Sequence, residues 1–426
     1  MPANNAVLTR RIALTVVNDV VCKKNATETA FEKAFKENPL EKRDEAFVRL
    51  LVMTFLRHKG EAQVLWNRFL QKPLSEKERY VRDALSLGVI QAVYLKTPSY
   101  AVVSPIVSIL KHYKRGAFAP LANAVLRQVV RQEDPVAAAP EKNFPEWLDA
   151  ALTDAYGIRT TRKIQEAFLN EPPLDISVKN DAEAWAKRLN GVKIATDTVR
   201  CANDGDVMKK AGYDDGQWWV QDLSASLPVK IMKDLSGAEI LDVCAAPGGK
   251  TAQLCAAGAH VTALDVSENR LKRLKSNMDR LRFSPKTVCA DFRKWDDGVL
   301  YDGVLLDAPC SATGTIRRHP DVLYHRTRED IARLAAVQSE LLEKAVKKTV
   351  VGGLIVYGVC SILPEEGEKI IEAFLKKGTV VRRPVAAPEI PSVFITPKGD
   401  VLCLPCHMAD IGGCDGFFAA RLQRVR

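Results

Sequence analysis

The sequence predicts a multidomain protein: an all-α bundle, a small α/β subdomain, and a larger α/β domain built on a mostly parallel seven-stranded sheet. Three observations carry this. Apolar residues recur at four-residue spacing through the first third. A proline-containing break follows at 133–146. From about residue 235, short apolar runs alternate with helical stretches, the pattern of a parallel sheet with crossover helices. At 426 residues the chain has room for roughly two to four domains. Apolar residues make up 47%, enough for several cores, and the 24 Gly and 22 Pro are too few for a collagen-like or low-complexity chain.

In residues 1–132 the stripes Ile12-Val16-Val20, Phe47-Leu51-Phe55 and Leu121-Val125-Val129 predict amphipathic helices. Breakers at Asn38-Pro39, Gly60, Lys72-Pro73, Thr97-Pro98, Gly116 and Pro120 divide this stretch into five or six helices of a compact bundle. The charge is concentrated here. The whole chain holds 62 Lys+Arg and 52 Asp+Glu, a net of +10. Residues 1–132 hold 22 and 11, a net of +11; residues 133–426 hold 40 and 41, a net of −1. Basic clusters at Arg10-Arg11, Lys111 to Arg115 and Arg127 to Arg131 read singly as solvated helix faces. The excess over the whole domain points towards phosphate binding.

Residues 133–146 contain three prolines and read as a linker. Residues 147–232 read as the small subdomain, RRM-like in outline. Helices are expected near 145–156, 162–169 and 182–189, and a strand near 174–178.

In 233–426 the strand candidates are 238–243, 261–266, 287–290, 303–306 and 353–357, with helices over 269–281 and 328–348. In such sheets ligands sit at the carboxyl ends of the strands. After the first strand comes Cys244-Ala245-Ala246-Pro247-Gly248-Gly249-Lys250-Thr251. Its small residues let backbone approach a ligand closely, ahead of a helix N-terminus. It is neither a Walker loop nor the three-glycine dinucleotide fingerprint. Asp265 ends the second strand, Asp291 follows the third and Asp307 ends the fourth. Each alone would read as a cap or solvated turn. Three acids at successive strand ends suit a nucleoside-bearing ligand without phosphate, and S-adenosylmethionine is such a ligand.

Two cysteines lie just past adjacent strand ends, in Asp307-Ala-Pro-Cys310-Ser-Ala-Thr-Gly314 and Tyr357-Gly-Val-Cys360-Ser361. Free cysteines are often merely small buried residues, which is the reading for Cys22, Cys201 and Cys289. Beside a carboxylate at a ligand edge, a thiol is a nucleophile candidate. Methylation of cytosine carbon 5 needs such parts. A thiolate adds to carbon 6, an acid beside ring nitrogen 3 stabilises the adduct, and a second group serves the elimination.

These motifs resemble the Sun/RsmB family of bacterial ribosomal RNA cytosine-5 methyltransferases. The match runs through 244–251, Asp265 with Arg270, Asp291, 307–314 with Ile316-Arg-Arg-His-Pro-Asp321, and Cys360-Ser361 with Pro364-Glu-Glu366. It ends in Asp415-Gly-Phe-Phe-Ala-Ala-Arg-Leu422, similar to the family's last strand. The bundle, with Leu121-Ala-Asn-Ala-Val-Leu-Arg127, is similar to the NusB-like RNA-binding domain such members carry. The resemblance implies a Rossmann-like class I methyltransferase domain. It implies S-adenosylmethionine at 244–250, Asp265, Arg270, Asp291 and Asp307. It implies Cys360 as attacking thiol, Cys310 as the residue assisting release, Asp307 as the acid, and a cytosine of 16S rRNA as substrate, free or within a pre-30S particle. Two departures stand out: Val359 occupies a position where the family usually has Thr, and 147–232 matches weakly apart from 172–178 and Gln221-Asp222.

Other classes drop out. No apolar run approaches the ~20 residues of a membrane helix. No secretory signal is visible, so the ten cysteines are expected as thiols of a cytoplasmic, monomeric protein. Cys403-Leu-Pro-Cys406-His407 matches haem-attachment spacing and, with Cys414, a zinc pattern, but no metal is expected. The rival functions are a tRNA cytosine-5 methyltransferase and a non-catalytic RNA-binding ribosome-assembly factor.

Overall fold

The four-residue stripes become the seams of the first unit. In this computed structural model, which describes residues 2–112, 115–132 and 140–426, the chain divides into two units. One comprises Met1–Leu169 with Ile316–Arg326, the other Asn170–Thr315 with Thr327–Arg426.

The first unit contains α1 (Pro2–Val21), α2 (Thr27–Glu37), α3 (Lys42–Asn67), α4 (Arg79–Val93), α5 (Ser99–His112), α6 (Ala119–Val130) and α7 (Glu146–Leu169). Val16 and Val20 of α1, Leu51 and Phe55 of α3, Leu85 of α4, Ile106 of α5 and Leu126 of α6 are fully buried in one core. Burial of each such side chain is worth roughly 1.5–3 kcal/mol. Gly88 explains how α4 and α6 come so close: a Cβ there would lie 2.6 Å from Leu126. Gly60 does not end a helix as the breaker pattern suggested. α3 runs through it, with its kink at His58 (φ −119°, ψ 15°). A Cβ on Gly60 would sit 1.8 Å from the Lys142 carbonyl, so this glycine is required by close passage of another strand of chain. Arg10 also departs from expectation. It is buried, donates to Gln91 Oε1 at 2.9 Å and lies over the Phe47 ring, so it belongs to the core rather than to a basic surface.

Of the expected linker, residues 133–139 lie outside the described residues, and α7 begins at Glu146. α7 bends at Gly157 (φ 75°), which divides it into the two expected helical segments. It groups with the bundle rather than with the small subdomain expected to start at 147, because Leu148, Leu152 and Phe168 turn inward beside Phe144. The Ile316–Arg326 segment, carrying α12 (Val322–His325), is also part of this unit. Tyr324 donates to the Leu56 carbonyl at 2.7 Å, Arg57 to the Arg317 carbonyl at 2.9 Å, and His325 Nε2 lies 2.9 Å from the Val20 carbonyl.

The second unit opens with β1 (Leu174–Val178), α8 (Ala182–Arg188), β2 (Val192–Ala195), β3 (Thr198–Cys201) and β4 (Trp218–Val220). These strands form an antiparallel sheet of order β2-β3-β1-β4, an arrangement consistent with an RRM-like subdomain. α9 (Leu223–Lys230) leads into the main sheet: β5 (Glu239–Val243), α10 (Gly249–Ala256), β6 (His260–Asp265), α11 (Glu268–Leu281), β7 (Lys286–Cys289) and β8 (Tyr301–Asp307). After α13 (Arg328–Lys348) come β9 (Thr349–Val359), α14 (Glu368–Leu375), β10 (Val380–Arg382), β11 (Val401–Cys403) and β12 (Phe417–Arg424). The order β10-β12-β9-β8-β5-β6-β7 holds the expected seven strands, and β11 adds an eighth by pairing with β12. Strands β5 to β9 are parallel, while β12 runs antiparallel to β9, β10 and β11. The order reverses between β5 and its neighbours β6 and β8, which opens a crevice at their carboxyl ends.

Candidate active site

The loop after β5 turns on unusual backbone. Cys244 has φ 63° and Gly248 has φ 105°, and Gly248 is the N-cap of α10. Asp265, buried at the end of β6, holds this loop. Its carboxylate accepts from the amides of Ala246 (3.2 Å) and Ser267 (3.0 Å). Arg270 lies 3.3 Å from Asp265 and donates to the Ala246 carbonyl, so it braces the loop from α11. Asn277 adds a bond to the Pro247 carbonyl at 2.9 Å. Burial and the nearby acids push the Cys244 thiol up to about 12, leaving it unreactive.

Asp291 stands apart from that cluster. Arg293, from its own turn, holds its carboxylate at 2.8 Å and lowers its pKa. Lys250 turns to Asp307, with Nζ 2.8 Å from Oδ2 and 5.0 Å from the centre of the Phe417 ring. Burial works against its charge, but Asp307, with Cys360 and Asp242, raises its pKa overall.

The two cysteines meet. β8 and β9 pair in parallel with Asp307 opposite Gly358, which brings the chain three residues past one and two past the other to the same edge. Cys310 and Cys360 are 3.3 Å apart, sulfur to sulfur. The hydrogen bond to Cys360, then burial, then the Cys360 and Glu366 charges push the Cys310 thiol well above its ordinary value.

Behind the thiols lies a network that the motif letters did not reveal. Glu366 is fully buried and accepts from the Ser311 amide (2.8 Å), the Ser311 hydroxyl and Gln338 Nε2 (3.0 Å). Ser311 Oγ lies 3.2 Å from both Thr313 and Ser361, and Tyr357 donates to the Glu366 carbonyl. Gln338 also donates to the Pro309 carbonyl at 2.9 Å. The sequence held one signal of this: each cysteine is followed by a serine, and those serines are bonded to each other.

Asp242, in the middle of this unit, is a second residue that sequence reasoning missed. It is fully buried, accepts from Thr251 at 2.6 Å, and its Oδ1 has no hydrogen-bond partner. Burial pushes its pKa up to about 7. The donor set fits S-adenosylmethionine: an unpartnered buried carboxyl oxygen, two further carboxylates, and a small-residue loop, with no phosphate cradle.

Cys403 and Cys414 belong to the core instead. Cys403 and Cys414 are buried, Cys414 donates to the Leu404 carbonyl (3.4 Å), and His407 Nδ1 accepts the Leu404 amide (3.3 Å). No group of three or more potential metal ligands occurs among the described residues. None of the described helices is long and apolar enough to cross a membrane.

Comparison with known proteins agrees with this geometry. Residues 229–423 match the family model of 16S rRNA methyltransferase RsmB/F, and residues 8–131 match the NusB family. The ribosomal RNA small subunit methyltransferase B of Vibrio vulnificus is 34% identical over 86% of this chain and 91% of its own length. The chain belongs to the ribosomal RNA small subunit methyltransferase B family. A further member from Photorhabdus laumondii is 32% identical over 97% of this chain and 98% of its own. Among solved structures, PH0851 shares the fold at a TM-score of 0.75 and 21% identity, covering 97% of this chain and 98% of that one. The NSun6 structure from Pyrococcus horikoshii, determined with SFG, aligns at 0.58 and 20% identity over 66% of this chain and 99% of its own. Membership of this methyltransferase family supports S-adenosylmethionine as the methyl donor.

Proposed function

We propose that the protein methylates carbon 5 of a cytosine in small-subunit ribosomal RNA through a covalent adduct with Cys360. The observation that carries this reading is the pair of thiols 3.3 Å apart at adjacent strand ends, beside the Lys250–Asp307 ion pair. Other methyl acceptors do not need two cysteines. Membership of a family whose named members act on small-subunit rRNA favours that RNA over tRNA. Intact acids and both thiols argue against a non-catalytic assembly factor.

Asp265 would receive the ribose hydroxyls of S-adenosylmethionine, with 244–250, Asp291 and Asp307 around the remainder and Arg270 holding the loop. The bound cofactor supplies an electrophilic methyl group. Cys360 is among the groups that raise the pKa of Lys250, so this cation lies near the attacking sulfur. The Cys360 thiolate adds to cytosine carbon 6. Asp307, which accepts from Lys250, takes up the proton that Cys360 gives up and passes it to nitrogen 3, and carbon 5 becomes enamine-like and takes the methyl. Once the Cys360 sulfur is bonded to carbon, its charge is gone and the largest restraint on Cys310 ionisation is lifted. Cys310, its proton lost to solvent, then removes the carbon 5 proton, and elimination expels the Cys360 thiolate. An enzyme acting on one base in this way takes it out of its stack, most cheaply from a single-stranded loop.

The test uses labelled S-adenosylmethionine with unmodified small-subunit rRNA and with tRNA. Cys360→Ala should abolish transfer, and Cys310→Ala should accumulate a denaturation-resistant protein–RNA adduct. An adduct accumulating in Cys360→Ala reverses the assignment, and transfer to tRNA alone overturns the substrate. Bisulfite sequencing of rRNA from a deletion strain names the base.

A further inference from the structure

The first unit carries a groove between α5 and α6, of about 630 Å³, with no acid among the described residues that line it. The composition behind it is one-sided. Residues 84–132 contain six Lys or Arg and no Asp or Glu. The placement follows from helical periodicity: Tyr100, Ser104, Ser108 and Lys111 follow one face of α5, and Arg127 and Arg131 stand a turn apart at the end of α6. Asn123 holds Arg127 Nε at 3.2 Å. Among the described residues, no ion pair engages Lys111, Arg127 or Arg131, and all three are exposed. Several cations elsewhere in this unit are matched: Lys23 is paired with Asp19, Arg49 with Glu28 and Arg82 with Glu76. At one end of the groove Tyr100 is 79% exposed, although it is a large aromatic on an otherwise packed helix.

We propose that this groove binds a single-stranded segment of the RNA substrate, with its phosphates on Lys111, Arg127 and Arg131 and a base stacked on Tyr100. The chemistry is that of single-strand binding: unpaired cations track the backbone, hydroxyls bond phosphate or ribose oxygens, and an exposed ring accepts any base. An acidic protein segment would use the cations but has no need of the ring. The proposal rests on the RNA-methyltransferase reading and deepens it.

The experiment measures equilibrium binding of the full-length protein to unmodified small-subunit rRNA from low to high salt. The triple variant Lys111→Gln, Arg127→Gln, Arg131→Gln is compared with a control, Lys36→Gln, Lys42→Gln, Lys72→Gln, which removes three exposed cations from the same unit outside the groove. The groove triple should reduce the slope of log K against log salt by about 2, from about 0.7 per phosphate contact on single strands, and weaken binding by tens of fold near physiological salt. Tyr100→Ala should weaken binding roughly tenfold with the slope unchanged. Equal losses in the groove and control triples mean that general charge, not the groove, holds RNA. An unchanged slope in the groove triple also overturns the proposal and leaves an acidic protein as its partner. Methylation of the same rRNA by the wild type, measured in parallel, separates failure of the groove from failure of the functional reading.

Discussion

Removing the Glu366 carboxylate tests whether the network behind the thiols sets their geometry. Glu366→Ala strands two donors, the Ser311 amide and the second hydrogen of Gln338 Nε2, since the first is on the Pro309 carbonyl. The Ser311 hydroxyl is not stranded, because it can turn to Thr313 or Ser361 at 3.2 Å. Each stranded buried donor costs about 1–3 kcal/mol, partly offset by the relief of a buried charge, so a net loss of about 2–4 kcal/mol is expected. Glu366→Gln keeps an acceptor for both donors and puts an amide N–H opposite the Ser311 oxygen. It gives up only charge assistance, about 1 kcal/mol. The Ser311 amide adjoins Cys310, and a shift of about 1 Å in a reacting group can cost on the order of 10²-fold in rate. Denaturant unfolding and single-turnover methyl transfer to rRNA are the assays. Glu366→Ala should fall in both, and Glu366→Gln should recover most of each. If Glu366→Gln proves as damaging as Glu366→Ala, the bond pattern is not what matters; if both match wild type, the network does not hold the thiols.

Two further outcomes follow from single contacts. Gly314→Ala would place its Cβ 2.1 Å from the Gly416 carbonyl, between the Cys310 loop and the approach to β12, so unfolding measurements should show a loss of at least about 2 kcal/mol; a variant of wild-type stability would contradict the close approach. Asp242 gives a pH effect of definite sign. Its folded pKa, about 7, lies above the ordinary 3.8, so the folded state holds the proton more tightly and this residue's contribution to stability declines as pH rises from about 4 to 7. Asp242→Asn should gain on wild type across that window, by up to about 4 kcal/mol, and parallel stability–pH curves would refute the assignment.

What the sequence disclosed depended on whether the deciding contact was local. The helix 328–348 was legible to the residue because Thr327 and Asp330 form a capping box. The parallel strands were legible because continuous apolar runs mark strands buried on both faces. The strand candidate 353–357 is only the middle of β9; pairing with β8 and β12 carries the strand from Thr349 to Val359. β2, β3 and β4 are three or four residues long, too short to show a period. In the site, the strand-end rule brought Cys310, Cys360, Asp265 and Asp307 to one edge. It could not show that Arg270 would brace the loop, or that Arg293 would occupy Asp291. The neighbours Glu365 and Glu366 make the limit plain. One reaches Lys369 at 2.7 Å on the surface, the other is fully buried under the thiols, and nothing in Pro-Glu-Glu distinguishes them. Gly60 reads as a breaker because its reason, the passage of Lys142 over it, lies more than eighty residues away.

The separation of the thiols bears on which one reacts first. Two thiolates 3.3 Å apart would repel by about 5 kcal/mol at an effective dielectric of about 20, so the pair ionises once, not twice. Cys310 has the Glu366 charge and Cys360 itself against its ionisation, and no cation is among its principal influences. Lys250 is tied to Asp307, and Cys360 is among the groups that raise its pKa, which places this cation near the later cysteine. This asymmetry supports the proposed roles, with Cys360 as nucleophile and Cys310 as the thiol that acts second. In the proposed mechanism, bond formation at Cys360 removes the largest influence that holds Cys310 protonated. That proposed order rests on electrostatics at the two strand ends.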